Sequence, residues 1–269
     1  MERRSFEVHM EDIVAPLIPA TFVLCLILER LFPARPLAKI KGWLLRGVLA
    51  FVMSGLINAL LPMALVSALA GRSLFHLQGL GTWVGALVAF LVIDFVSYWL
   101  HRVFHNVHFI WRWTHQAHHS AERLDIAGAA YFHPFDITIT VALTTVLAAI
   151  LGVTPDAAAL AGFVGFFYAM FQHLNMRTPR WLGYLIQRPE AHSVHHARGV
   201  HAYNYGNFPL WDVLFGTFRN PAEFMPEQGF WDGASARVGA MLLGRDVGEP
   251  PVAPLRHSPE APFTATSQA

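Results

Sequence analysis

Residues 94–119 read DFVSYWLHRVFHNVHFIWRWTHQAHH. The stretch begins as apolar sequence of membrane grade and ends having placed six histidines. His101 and His105 are four apart, and His115, His118 and His119 stand at i, i+3 and i+4. The triplet pattern recurs far downstream as His192, His195 and His196 in HSVHH. Residues three and four apart share a helix face, so His101 and His105 can hold or flank one ion. In each triplet the first histidine is near both others, but the last two point about 100° apart. Such a triplet serves two neighbouring ions better than one. Two triplets and a pair supply eight nitrogens, and His173 offers a ninth. That exceeds what one ion accepts, so two ions are the economical reading.

Outward from this stretch the chain is apolar. Of its 269 residues 54% are hydrophobic and 14% charged, where a soluble domain carries roughly 25% charged. A formal net charge of +1 argues against a nucleic-acid partner, which needs a basic surface. A membrane-crossing helix needs about 20 mostly apolar residues. Segments near 13–31, 43–70, 82–100, 135–151 and 157–172 qualify or nearly so. The second carries Asn58 and Pro62, where it can tilt, kink or split. GVTPD between the last two is a tight turn that makes them a hairpin. The expected fold is therefore all-α: a membrane helical bundle of four to five spans, with a cytoplasmic helical cap holding a histidine-rich di-metal site. Residues 1–245 read as one domain. Residues 246–269, rich in Pro, Ala and Ser, read as a disordered tail. No cleavable signal peptide is apparent in MERRSFEVHMEDI, which carries four acids.

Charge sets the orientation. The loop after the first span holds Arg35 and both lysines, Lys39 and Lys41; the loop after the second holds only Arg72. By the positive-inside rule the lysine-bearing loop is cytoplasmic. Counting spans puts 101–134 and 173–269 on that side too, so every clustered histidine falls at one membrane face. Five spans leave the N-terminus outside, against which Arg3 and Arg4 weigh; a first helix lying in the interface would remove that objection.

Imidazole suits zinc, copper, iron and nickel. Cys25 is the sole cysteine, which excludes an intramolecular disulfide and a thiolate cluster. Two adjacent ions with neutral ligands and open positions suit oxygen activation by iron, and zinc accepts the same imidazoles in a purified sample. Carboxylates that orient ligand histidines are expected nearby. Asp94 lies seven residues before His101 on the same face, with a plain interfacial hydrogen bond as its alternative; Asp136 and Asp212 are further candidates. His133 and His201 are candidates for the shell behind the metal. His108 reads as interfacial, and His9, His76 and His257 as surface residues. Arg102 projects off the His101/His105 face toward lipid phosphate or a backbone carbonyl. Trp99, Trp111 and Trp113 suit an interfacial aromatic belt.

HRVFH, HQAHH and HSVHH, in the setting of DFVSYWLHRVFH, WRWTHQAHHS, YFHP and NYGNFPLWDVLFGTF, resemble the three-box signature of the sterol desaturase / fatty acid hydroxylase superfamily. The likeness covers about 94–220. It implies a membrane diiron enzyme that uses O2 and external electrons to hydroxylate, desaturate or cleave at unactivated carbons of lipids. The box histidines carry over to His101, His105, His115, His118, His119, His192, His195 and His196. The resemblance also implies a ligand between the second and third boxes, and His173 in FQHLN takes that place. Some members carry a further histidine four residues earlier, where this chain has Ala169.

The chain has no flavin fingerprint, no CxxCH and no cysteine cluster, so electrons are expected from a ferredoxin or cytochrome b5 type donor. Arg177, Arg180 and Arg188 can face such an acidic donor or simply line the membrane surface. The membrane would be the inner membrane of a bacterium or the endoplasmic reticulum of a eukaryote. Rival classes fit less well. A b-type cytochrome needs histidine pairs at membrane depth. A metal transporter, the main alternative, places ligands near the bilayer midplane, where these spans lack histidine. A zinc protease of the HExxH type lacks its motif. The lipid, the choice between hydroxylation and desaturation, and the oligomeric state are not specified by the sequence.

Overall fold

The computed structural model describes residues 9–250; Arg3, Arg4, His257 and residues 251–269 of the expected tail lie outside them. Eleven α-helices occur among the described residues: α1 Met10–Leu31, α2 Trp43–Leu69, α3 Gly81–Asn106, α4 His108–Trp113, α5 Gln116–His119, α6 Ile126–Ala129, α7 Pro134–Leu151, α8 Pro155–Phe171, α9 Pro189–His195, α10 Pro209–Leu214 and α11 Val238–Leu242. Three 3-10 turns join them, and the only β pairing among the described residues is an isolated bridge, Ala197 to Gln228.

α1, α2, α3 with its leading turn, and α7 are each long and apolar enough to cross a membrane. The chain is an integral membrane protein. The fifth expected span, α8, has 17 residues, about 25 Å at 1.5 Å per residue, short of the roughly 30 Å hydrocarbon core. It packs between α1 and α3. α2 does not split at Asn58 or Pro62. Asn58 Nδ2 donates to the Ser54 carbonyl and Ser54 Oγ to the Ala50 carbonyl, so both polar side chains are satisfied within the helix.

Local chemistry sets the α7–α8 hairpin. α7 ends at Gly152 in the left-handed region (φ +64°), which glycine adopts without penalty. Thr154 accepts from the Ala157 amide, and Pro155 opens α8. The start of α1 meets the start of α8, where the Met10 amide donates to Asp156 at 2.8 Å. Their far ends meet too, through Ala34 N to Asn175 O at 2.8 Å. α1 therefore traverses the same depth as α8 rather than lying flat.

The end of the bundle that holds Asn175 carries the short helices as a cap. One close approach ties cap to bundle: a Cβ on Gly47 of α2 would lie 2.6–2.7 Å from backbone and Cβ atoms of Ala127 in α6. Gly47→Ala is expected to destabilise the protein by about 1–3 kcal/mol through overpacking, read as a lower thermal midpoint in detergent. The ordered chain also runs past the expected boundary at 245. Val247 is buried. Its amide donates to Gln116 Oε1 at 3.3 Å, and its carbonyl accepts from Trp231 Nε1 at 2.9 Å. Residues 246–250, anchored at Val247 by two hydrogen bonds and an apolar contact, pack on the fold.

Candidate metal centre

Nine histidines converge at the cap end of the bundle in two nests. His101, His105, His115, His119 and His195 form one; His118, His173, His192 and His196 form the other. Within each nest one nitrogen per ring lies within 4.8 Å of every other. The helical offsets produce the division. The second box sends its i, i+4 pair, His115 and His119, to the first nest and His118 to the second. The third box does the reverse: His192 and His196 enter the second nest and His195 the first. The nests adjoin, with the His119 and His196 rings stacked 4.1 Å apart between centroids.

Hydrogen bonds on the outer nitrogens set the tautomers. His101 Nδ1 donates to the Tyr205 carbonyl, His195 Nδ1 to the Tyr203 carbonyl and His173 Nδ1 to the Ala169 carbonyl, each at 2.7 Å. His115 Nδ1 donates to Asp136 Oδ2 at 2.7 Å, both groups being buried. A carbonyl only accepts, so the ring proton sits on Nδ1 and Nε2 presents a bare lone pair. Yet Nε2 of His101 lies 2.9 Å from Nε2 of His115 and 3.1 Å from that of His195. Lone pairs aimed at one another at such distances repel unless a cation stands among them. In the second nest Nε2 of His173 lies 3.2 Å from Nε2 of His118 and 3.3 Å from that of His192.

Protonation does not relieve the crowding. Burial first, and neighbouring imidazoles second, hold His118, His119, His192, His195 and His196 well below the ordinary imidazole pKa. Burial pushes His173 down to about 4. Neutral rings with inward lone pairs are what a divalent cation requires, and the donor set fits two of them.

The outlying candidates take distinct places. Asp136 touches a nest histidine, as expected of an orienting carboxylate. Asp212 does not; it accepts from the amides of Tyr205 and Gly206 and from Thr217 Oγ1, and so fixes the loop whose carbonyl orients His101. Asp94 does not reach His101. It accepts from the Phe208 amide at 3.1 Å, which is its plainer alternative. His133 stays outside both nests as the N-cap of α7, accepting from the Phe135 amide; the His-Pro pair is a helix start. His201 Nδ1 lies 3.0 Å from His119 Nδ1, directly behind the first nest. His9 and His76 are exposed, and exposed His108 faces Asp246.

Three expectations change. Trp111 is no mere belt residue, since its ring centroid lies 5.0 Å from that of His105 and 5.3 Å from that of His119. Arg102 donates to no backbone carbonyl among the described residues; it lies over the Trp99 ring and donates to Tyr98 Oη. Arg188 is 1% exposed and paired with Glu190, so it cannot belong to a donor-facing surface. Arg177 pairs with exposed Glu223, and Arg180 donates to the Asn220 carbonyl.

Sequence reasoning missed the backbone carbonyls of Ala169, Tyr203 and Tyr205, because every residue has one. The signal nearest to them is HAYNYG just after the third box. There His201, Tyr203 and Asn204 all adopt positive φ (41°, 69° and 47°), a conformation that persists in non-glycine residues only where surroundings impose it. Asn204 imposes it by donating to the Ala191 and Arg219 carbonyls.

A bundle with two neighbouring imidazole nests at one end is a histidine-box membrane protein. Residues 86–217, just under half of the chain, match the family model described as fatty acid hydroxylase, and over that segment the chain is similar to that family. It is 32% identical over 140 residues to an ornithine lipid hydroxylase of Rhizobium tropici, covering 50% of this chain and 42% of that protein. It is 33% identical over 143 residues to the alkylglycerol monooxygenase of Homo sapiens (51% of this chain, 30% of that protein). A very-long-chain aldehyde decarbonylase of Oryza sativa subsp. indica is 32% identical over 139 residues (49% and 53%). The chain thus spans about half the length, or less, of these relatives. No solved structure matches it significantly.

Asp136→Asn is expected to lower metal retention or turnover by about 10–100-fold, the usual effect of losing a group that orients a ligand. Metal analysis and activity of the purified variant, set beside its unfolding midpoint, check this.

Proposed function

We propose that this chain is an O2-dependent membrane oxidoreductase that hydroxylates a C–H bond of a lipid, such as a sterol or fatty acyl chain. Its nine nested histidines would hold two iron ions. The observation that carries the reading is the set of Nε2 lone pairs facing one another at about 3 Å, with their tautomers fixed from behind. Two irons supply the activation of O2, chemistry that belongs to the cofactor rather than the protein. One oxygen atom would enter the C–H bond and the other leave as water, with two electrons from an external donor of ferredoxin or cytochrome b5 type, delivered one at a time, and two protons from solvent.

The chain's own residues bind and orient. Asp136 and the carbonyls of Tyr203, Tyr205 and Ala169 fix which nitrogen faces inward. Phe132, stacked 4.0 Å from His118, and Trp111 cover the nests and keep water out. His101 and His105 are half-buried while all four rings of the second nest are buried, so the first nest is the side from which a lipid would approach. The bundle supports this route, since its apolar helices meet the nests at one end. The loop bearing Arg35, Lys39 and Lys41 lies at that same end, which favours a cytoplasmic site.

Similarity to an ornithine lipid hydroxylase and an alkylglycerol monooxygenase supports a lipid substrate. Desaturation remains the second outcome of the same site chemistry. The nests lie at one end of the bundle, which disfavours metal transport, whose ligands sit near mid-membrane. Protein purified in mild detergent is expected to hold about two irons per chain. Cells producing it should accumulate lipid heavier by one oxygen atom, or lighter by two hydrogens if it desaturates. Absence of both bound metal and a product lipid would overturn the reading.

A further inference from the structure

Between the end of α1 and the start of α2, on the cap side, lies a cavity of about 480 Å³. Leu26, Ile40, Trp43 and Leu44 give it an apolar wall, and Arg30 and Arg35 a cationic one. A smaller cavity of about 200 Å³ adjoins it and also touches Arg35. Arg35 is the unusual group. Its Nη1 donates to the Met225 carbonyl, and its guanidinium lies 4.6 Å over the Phe224 ring. Its Nε and Nη2 are buried and have no partner.

No carboxylate among the described residues pairs with it. The carboxylates lining the larger cavity are already engaged: Asp125 with Arg123 and Trp43 Nε1, and Glu29 with the Ile126 amide. A guanidinium with two buried orphan donors is costly to leave unanswered, and burial pulls Arg35 below its usual pKa. The loop does not swing it out to water. Asn175 clamps the backbone on both sides, through Nδ2 to the Arg35 carbonyl at 2.8 Å and its own carbonyl to the Ala34 amide at 2.8 Å. Two adjacent N–H donors in a fork match the oxygens of a phosphate.

We infer that this cavity binds the phosphate of an anionic membrane lipid, with Arg35 as its bidentate partner and the Leu26, Ile40 and Leu44 wall holding the first part of an acyl chain. The site lies where α1 and α2, two helices long and apolar enough to cross a membrane, reach the cap. Exposed Arg30, Lys39 and Lys41 flank it and add attraction to an anionic surface. It is built from residues outside both histidine nests and does not depend on the proposed activity.

Native mass spectrometry from mild detergent tests it, with dioleoyl phosphatidylglycerol, dioleoyl phosphatidylcholine and inorganic phosphate as separate probes. The protein is expected to retain the anionic lipid in preference to the zwitterionic one and to bind free phosphate weakly. Arg35→Gln should reduce that retention about tenfold, the worth of one charge-assisted contact. Arg72→Gln, in the loop at the other end of the bundle, should leave it unchanged, and Arg35→Lys should keep part of it. Thermal midpoints with and without the anionic lipid give a second reading, with the lipid-induced rise lost in Arg35→Gln. Equal retention by wild type and Arg35→Gln would overturn the site. Equal responses to phosphate and to lipid would make the ligand a free anion and overturn the lipid assignment. If Arg35→Gln fails to fold, absence of lipid preference in the wild type alone would overturn the proposal.

Discussion

His118→Ala and His195→Ala are each expected to abolish lipid oxidation, a loss beyond the roughly 100-fold upper end seen when only an orienting group is removed. The two variants should differ in metal content. His118 belongs to the nest of four, so its removal leaves three nitrogens. His195 belongs to the nest of five and leaves four. His118→Ala is therefore expected to retain about one metal per chain, and His195→Ala more than that. Metal analysis beside product formation reads both effects. Full turnover in the two variants would end the two-ion account. An unchanged thermal midpoint in the metal-free state would show that the loss is chemical rather than a failure to fold.

The largest effect on stability is expected at Arg188, which belongs to neither nest. Its guanidinium is 1% exposed and makes a dense set of contacts: Nε to Thr178 Oγ1, Nη2 to the Thr178 carbonyl, Nη1 to Asn220 Oδ1 and the Pro221 carbonyl, and an ion pair with Glu190 at 3.1 Å. It sits immediately before α9, which delivers His192 and His195. Removing one partner of a buried pair leaves an uncompensated charge, so Arg188→Met should cost about 3–5 kcal/mol. Adding Glu190→Gln neutralises the stranded carboxylate and should recover part of the loss, even though Glu190 also accepts from the amide and hydroxyl of Thr178. Unfolding midpoints of both variants check this. If the double variant is no more stable than the single one, the pair's charge is not what holds the segment leading into α9.

Arg188 also shows where reading a sequence reaches its limit. Three arginines in RTPRWLGYLIQRPE suit a basic surface by composition. Whether one of them points inward depends on acceptors dozens of residues away, at Asn220 and Pro221. The same holds for the tail, where composition after 245 signals disorder but Gln116 captures the backbone at Val247. Trp111 met the same ambiguity, since an aromatic beside a membrane suits a belt equally well until the ring is seen against His105 and His119.

What the sequence determined by itself was periodic or compositional. Apolar runs of membrane length gave the bundle, since a buried backbone in lipid must form helices. Offsets of three and four gave the two-ion reading, since helical geometry sends neighbours in a triplet to different directions. The tertiary structure alone decided which histidine joins which nest and what stands behind each ring. It also decided that Asp136, not Asp94, orients a ligand. Those choices rest on contacts between segments far apart in the chain, where local spacing carries no information.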